Sequence, residues 1–253
     1  MRMKENNPDR VIYLADARQS MHFIQVFRCA RKTGIVPDTT ELVHIGFGTM
    51  NGKDGKPFKT RDGGVMRLEY LLKEIDDEML NKIKENQKEK ENLNIDEAEA
   101  EQTAKTVALA AVKYGDLSNQ ASKDYIFDID RFTSFEGNTG PYILYTIVRI
   151  KSILSKYEAK GGDISALKDA IMPAVNAGQK NLMLSLAKFN ATIESAYEES
   201  APHKICAYIY ELANAFNGFY HDTKILSEEN EELKKSYISL LVLTKEILEA
   251  CID

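Results

Sequence analysis

The sequence lacks several features that would define its class at once. None of its 253 residues forms part of an apolar run near the ~20 residues that a membrane-spanning helix needs. Its polar first residues do not resemble the apolar core of a secretory signal peptide. The three cysteines, Cys29, Cys206 and Cys251, are odd in number and widely spaced. They predict free thiols in a reducing compartment.

Common catalytic signatures are absent as well. The four histidines and three cysteines do not cluster, and His203 with Cys206 has no second pair to complete a metal site, so no protein metal site is predicted. No P-loop pattern and no Ser-His-Asp spacing is present. The net charge of −6 argues against nonspecific nucleic-acid binding through bulk charge, but a local basic site for phosphate remains compatible with it.

The N-terminal part predicts a strand at 11–15, a helix at 17–32 and a second strand at 41–46. A strand, a helix and a strand within so short a stretch form a βαβ unit with parallel strands. A complete doubly wound domain needs several more strands, so we interpret this unit as part of a sheet.

Beyond residue 65 the hydrophobic periodicity is mostly helical. Helices are predicted at 65–93, 96–112, 141–157, 179–188 and 191–199, from Pro202 onward, and after a capping Ser227, with a short strand or extended segment at 125–129. The expected fold is therefore mainly α with a partial α/β part, and the later helices form an antiparallel bundle.

Two N-terminal segments could carry chemistry. Glycines and cations in the loop 52–64 suit a polyphosphate, although a plain solvated loop has the same composition. Gln19 and His22 follow the first strand, where open α/β sheets bind ligands, but they also suit an ordinary helix start. His44 lies inside the second strand, where a satisfied core histidine is the simpler interpretation.

Tyr142, Tyr145 and Arg149 are spaced to share one face of a predicted helix. Two aromatic rings and a guanidinium suit unstacked RNA bases and phosphate. Tyrosines at such spacing also occur in helix cores. The aromatic and polar stretch 214–221 is interpreted as core and helix-end packing.

Five segments occur in an order that is specific to one family. They are DARQSMH at 16–22, VHIGFG at 43–48, FKTRDG at 58–63, SFEGNTGPYILYTIVR at 134–149 and AYIYELANAFNGFY at 207–220. The series closely resembles the C-terminal half of arginyl-tRNA synthetase, a class I aminoacyl-tRNA synthetase, over nearly the whole chain. The resemblance implies the end of a Rossmann-type catalytic domain at 1–66, a helical connection at 67–122 and an α-helical anticodon-binding domain at 123–253.

The resemblance also implies roles for individual residues. Gln19 would contact arginine, and His22, His44 and Gly48 would lie near the adenosine of ATP. Lys59 and Arg61, in a degenerate KMSKS loop, would stabilise pyrophosphate. Tyr142, Tyr145 and Arg149 would contact the tRNA anticodon loop. ATP is implied as a substrate, accompanied by Mg²⁺ without a protein metal site. The implied partners are arginine and tRNA(Arg). The resemblance also implies that the full-length enzyme is a monomer and that it is located in the cytoplasm.

The HIGH motif, which binds ATP phosphates in this family, is absent, because His44-Ile45-Gly46 is followed by Phe47. We therefore expect a piece of an arginine–tRNA ligase that is inactive alone, since half a phosphate site cannot align ATP with the amino acid. Two alternatives are a noncatalytic tRNA-binding module and a helical scaffold that binds proteins through the charge-rich stretch 73–102.

Overall fold

A computed structural model describes residues 5–56, 67–89, 96–167 and 170–252. These residues group into two compact units. The first unit holds the described residues up to Lys56 together with 119–127, and the second holds those of 67–118 and 128–252. Lys59 and Arg61 of the predicted KMSKS-like loop lie outside the described residues.

The first unit contains the predicted strand–helix–strand unit. Strand β1 (Arg10–Asp16) is followed by helix α1 (Ser20–Lys32) and strand β2 (Glu41–Phe47). The two strands pair in parallel along their whole length, as the sequence predicts. The Tyr13 ring of β1 lies 5.4 Å and 5.5 Å from the rings of Phe23 and Phe27, which seat α1 on one face of the strand pair.

A second pair of parallel strands is formed by β3 (Met50–Asn51) and β4 (Tyr125–Ile126). Gly48 stands just before β3, and its backbone N–H donates to the Ala121 carbonyl at 2.9 Å. A Cβ atom at Gly48 would lie 2.5 Å from backbone atoms of Lys123, so this close approach requires glycine. The strand predicted at 125–129 is shorter than expected, because a helix starts at Ile129.

One face of the β1–β2 pair carries exposed apolar side chains. Ile12 and Leu14 are 42% and 70% exposed. Helix α1 contains no buried residue, and its Met21 is 65% exposed. Parallel strands in folded domains are usually covered on both faces. Within the described residues, this face of the strand pair is therefore left uncovered at Ile12 and Leu14.

The second unit is helical and contains eight α-helices among the described residues. In chain order they are α2 (Leu68–Glu89), α3 (Glu97–Leu117), α4 (Ile129–Phe132), α5 (Gly140–Ala159), α6 (Ala177–Ala187), α7 (Phe189–Glu198), α8 (Pro202–Asp222) and α9 (Glu231–Ile252). Helix α2 packs on α3, and α5 packs on α3, α8 and α9. The predicted fold class, mainly α with a partial α/β part, is confirmed.

The core of the second unit follows the predicted periodicity. Helix α5 buries Ile143, Ile147 and Ile150 at three- and four-residue steps, and α8 and α9 contribute matching stripes. The start of α9 differs from the prediction. Ser227 belongs to a short turn, and the cap is Asn230, whose Oδ1 accepts from the N–H groups of Glu232 and Leu233. No described helix combines the length and hydropathy needed to cross a membrane.

Candidate RNA interface and strand-end site

The segment 134–142 forms the N-terminal cap and first turn of helix α5. Thr139 caps the helix: its Oγ1 accepts from the Tyr142 N–H at 3.2 Å and donates to the Ser134 carbonyl at 2.6 Å. Pro141 stands in the first turn, where its missing N–H does no harm. A Cβ at Gly140 would lie 2.2 Å from the Ala110 carbonyl oxygen of α3. The motif therefore fixes the position of α5 and of the side chains that follow.

Arg149 lies beside two tyrosine rings at the surface of the second unit. Its Cζ atom is 4.8 Å from the centre of the Tyr145 ring on α5 and 5.4 Å from that of the Tyr220 ring on α8. Its Nη2 also donates to the Tyr145 hydroxyl at 3.1 Å. Tyr145 and Tyr220 are 47% and 42% exposed, so these rings are not sealed in the bundle. A cation between accessible rings can meet both phosphate and bases.

Tyr142 is half-buried beside this pair. Its ring lies edge-on to Tyr210, with 5.8 Å between ring centres. Its hydroxyl donates to Asn214 Oδ1 at 2.7 Å and accepts from Asn217 Nδ2 at 2.9 Å. The side chains of Tyr142, Tyr145 and Arg149 thus share one side of α5, as the spacing predicts, and we name them the aromatic–arginine ridge.

Helix α8 supplies residues that the sequence reasoning missed. The stretch 214–221 is predicted to form core and helix-end packing, and Phe216 and Phe219 are fully buried as that interpretation requires. Asn214, Asn217 and Tyr220 instead contact the ridge. Their three-residue spacing places them on one face of α8. This spacing is the sequence signal from which they could have been predicted as a group.

The carboxyl ends of β1 and β2 form the second candidate site. Gln19 is exposed at the end of the short turn after β1, and His22 is exposed in the first turn of α1. Gly48 follows the end of β2, so these predicted residues come from the strand-end region of the first unit. Ligands in open α/β sheets bind outside such ends.

Three charged residues in this region, Asp16, Arg18 and Asp124, were not predicted to have a functional role. Arg18 donates two hydrogen bonds to the Asp16 carboxylate, from Nε at 2.8 Å and from Nη2 at 2.6 Å. This hydrogen bonding lowers the pKa of Asp16 to about 2 and raises the pKa of Arg18. Asp124 accepts from the Thr49 N–H at 2.7 Å, which lowers the pKa of its carboxyl group. Asp124 interacts electrostatically with Asp16 and Arg18. It is far from both in sequence, so no local sequence pattern could have predicted that they lie in one region.

His44 is placed differently from the other predicted ATP residues. It stands in the middle of β2, opposite Tyr13, and its ring stacks on Phe23 of α1 at 4.5 Å between centres. Its Nε2 is buried and has no hydrogen-bond partner among the described residues. The ring therefore lies between the strand and the helix that covers it.

Within the described ranges, no three His, Cys, Asp or Glu side chains come together in a way that could hold a metal ion.

The strand–helix–strand unit and the helical bundle lie in two segments that match family models, and the first of these models defines a class I tRNA synthetase. The family model described as tRNA synthetases class I (R), catalytic domain, matches residues 1–129. That described as DALR anticodon binding domain matches residues 143–253. The chain therefore belongs to the arginyl-tRNA synthetase family.

Relatives and solved structures agree with this assignment. The arginine–tRNA ligase of Alkaliphilus oremlandii is 54% identical over all of this chain, which spans 41% of that protein. A Francisella tularensis arginine–tRNA ligase is 42% identical, again over all of this chain and 42% of the relative. The crystal structure of arginyl-tRNA synthetase from Plasmodium falciparum superimposes with a TM-score of 0.79 at 27% identity, covering 99% of this chain and 41% of that one. The Thermus thermophilus arginyl-tRNA synthetase shares the fold with a TM-score of 0.78 at 23% identity, covering 97% of this chain and 40% of that chain.

Proposed function

We propose that this chain is part of an arginine–tRNA ligase that activates arginine with ATP and transfers it to tRNA(Arg). The family membership and the match of two successive domains support this proposal. ATP is the substrate of the first step, with Mg²⁺ accompanying its phosphates. We further propose that the full-length ligase is a monomer and that it acts in the cytoplasm.

The first unit is proposed to supply one side of the activation site. Gln19 would contact arginine, and His22, His44 and Gly48 would lie near the adenosine. For Gln19, His22 and Gly48, an origin near the carboxyl ends of the parallel strands supports this assignment. His44, in the middle of β2, keeps the role that the family resemblance implies. Lys59 and Arg61 keep the role implied by the family resemblance, stabilisation of the pyrophosphate leaving group.

The second unit is proposed to bind the anticodon loop of tRNA(Arg) through the aromatic–arginine ridge. The observation that carries this proposal is the position of Arg149 beside the half-exposed rings of Tyr145 and Tyr220. Bases of a single-stranded loop stack on such rings, and each stack contributes roughly 1–3 kcal/mol. The guanidinium adds a donor fork for a phosphate or a base edge.

The test for the ridge is binding of the 253-residue chain to a hairpin RNA that carries the tRNA(Arg) anticodon loop. Tyr145→Ala and Arg149→Ala should each weaken binding at least fivefold, as expected from a lost stack of about 1 kcal/mol. Tyr70→Ala, at a 61% exposed tyrosine of α2, and Arg131→Ala on α4 are matched controls and should bind as the wild type does. Equal affinity for all five proteins would remove the anticodon role.

The isolated chain is proposed not to aminoacylate tRNA. The open apolar face at Ile12 and Leu14 indicates a sheet that needs more structure against it. The HIGH motif is also missing from the sequence. The test is incubation of the purified chain with labelled arginine, ATP and tRNA(Arg). Charging above the background without protein would contradict this part of the proposal.

A further inference from the structure

The side-chain amide of Asn217 on α8 contacts three residues of α5. Its Nδ2 donates to the Tyr142 hydroxyl at 2.9 Å and to Thr146 Oγ1 at 3.3 Å. Its Oδ1 accepts from Arg149 Nη1 at 2.5 Å. Both N–H groups and the carbonyl of this one amide are therefore used across the helix pair, and two of the three partners belong to the aromatic–arginine ridge.

The chemistry of the partners permits only one orientation of this amide. A guanidinium has donors and no acceptor, so the amide oxygen and not the nitrogen must face Arg149. The NH₂ group then faces Tyr142 and Thr146, and the Tyr142 hydroxyl proton is directed to Asn214 Oδ1, 2.7 Å away. The Asn217 amide hydrogens, the Tyr142 hydroxyl proton and the Thr146 hydroxyl proton each have an acceptor. The Asn217 amide therefore has a single orientation that satisfies these partners.

We infer that Asn217 is a positioning residue of the RNA interface. It holds one edge of the Arg149 guanidinium while Tyr145 contacts the other, so the charged plane is kept beside its rings before RNA arrives. A side chain already ordered in the bound geometry loses less conformational entropy on binding. Asn217 is itself half-buried beneath these groups and acts through them. This inference rests on the proposed anticodon role of the ridge.

The first test is Asn217→Leu in the whole chain, because leucine has a similar size and removes all three hydrogen bonds. The affinity for the anticodon-loop hairpin should fall roughly three- to tenfold, as expected from the renewed freedom of Arg149 and Tyr142. Asn190→Leu, at an exposed asparagine of α7, is the matched control and should leave the affinity unchanged.

A double-mutant cycle separates positioning from a general structural effect. In a Tyr142→Ala/Arg149→Ala background, Asn217→Leu should cause no further loss of RNA affinity, because the groups that it positions are gone. The same fold loss in both backgrounds would overturn the inference. Binding that is weakened by Arg149→Ala but not by Asn217→Leu would overturn it too, while leaving the ridge intact.

Asn217→Asp provides a second variant if the leucine variant does not fold. The carboxylate still accepts from Arg149 but adds a negative charge beside it, so a phosphate contact by Arg149 weakens. The slope of log Kd against log salt should then become shallower by roughly 0.7, the share of one phosphate contact on a single strand. An unchanged slope and affinity would contradict the inference. A wild-type chain that binds the hairpin no better than one with a scrambled loop would overturn the proposed function, and this inference with it.

Discussion

The Arg149 guanidinium lies 4.8 Å from the centre of the Tyr145 ring, one helical turn earlier on α5, and its Nη2 donates to the hydroxyl of the same tyrosine. The contact uses the planar shape of arginine, which stacks and donates at once. A lysine at this position would keep the charge but could not reproduce both contacts.

Arg149→Lys should therefore separate charge from shape. We expect a drop in RNA affinity of about threefold or more from the lost stacking, with an unchanged salt dependence because the charge remains. Arg149→Ala should lower the affinity further and reduce the slope of log Kd against log salt by roughly 0.7. Titration of a labelled anticodon-loop hairpin at several salt concentrations gives both quantities. A slope that is the same in Arg149→Ala and wild type would mean that no phosphate meets this residue.

The Asp16–Arg18 pair predicts a pH dependence in the first unit. The pKa of Asp16 is lowered from 3.8 to about 2. A lowered pKa in the folded state means that the pair favours folding above about pH 4, and that this contribution is lost as the pH falls toward 2. Carbon-detected NMR of the Asp16 carboxyl group should show little titration between pH 6 and pH 3.

Arg18→Ala is the matching variant. It removes the side-chain hydrogen bonds, which are the largest cause of the lowered pKa, but keeps the backbone N–H of residue 18. The Asp16 pKa should then rise toward 3.8 without reaching it. If the Asp16 signal titrates identically in both proteins, the ion pair does not persist in solution.

Tyr114 connects α3 to two other parts of the helical unit. Its hydroxyl lies 2.6 Å from Asn138 Oδ1, in the loop before α5, and 2.8 Å from the Cys206 carbonyl of α8. Burial raises the pKa of this hydroxyl, so it stays a donor over the usual pH range. Tyr114→Phe removes this hydroxyl from the buried Cys206 carbonyl and from Asn138, and should lower the free energy of unfolding by about 1–3 kcal/mol.

Urea denaturation followed by far-ultraviolet circular dichroism measures this change, since most of the helix belongs to the second unit. The control is Tyr70→Phe at an exposed tyrosine, which should shift the midpoint very little. Equal midpoints for the two variants would show that the Tyr114 hydroxyl does not tie these elements together.

Much of the fold could be predicted because the informative patterns are local. The apolar steps at Ile209, Leu212, Phe216 and Phe219 place one face of α8 in the core, and the structure buries all four. The start of α9 could not be predicted in this way. Ser227 and Asn230 are both good caps by residue type, and the backbone path of the preceding turn decides between them.

The candidate interface likewise has one part that could be predicted from local spacing and one part that could not. Tyr142, Tyr145 and Arg149 share a helix face because of their spacing, which one sequence reveals. Asn217 meets Arg149 across a separation of 68 residues. Periodicity shows which face of each helix is polar, but it does not show which two helices lie side by side. The contribution of α8 was therefore missed, although its own spacing was visible.

Gly140 and Gly218 predict opposite effects of the same substitution. An alanine Cβ at Gly140 would meet the Ala110 carbonyl oxygen at 2.2 Å, and this atom is backbone and cannot rotate away. Gly140→Ala must therefore push α5 off α3, and we expect the free energy of unfolding to fall by about 1–3 kcal/mol. Gly218, inside α8, has open space around a built Cβ. Gly218→Ala should raise the free energy of unfolding by about 0.5–1 kcal/mol, because alanine favours the helix. Denaturation of both variants beside the wild type tests the close approach of α5 to α3, and a Gly140→Ala protein as stable as the Gly218→Ala protein would contradict it.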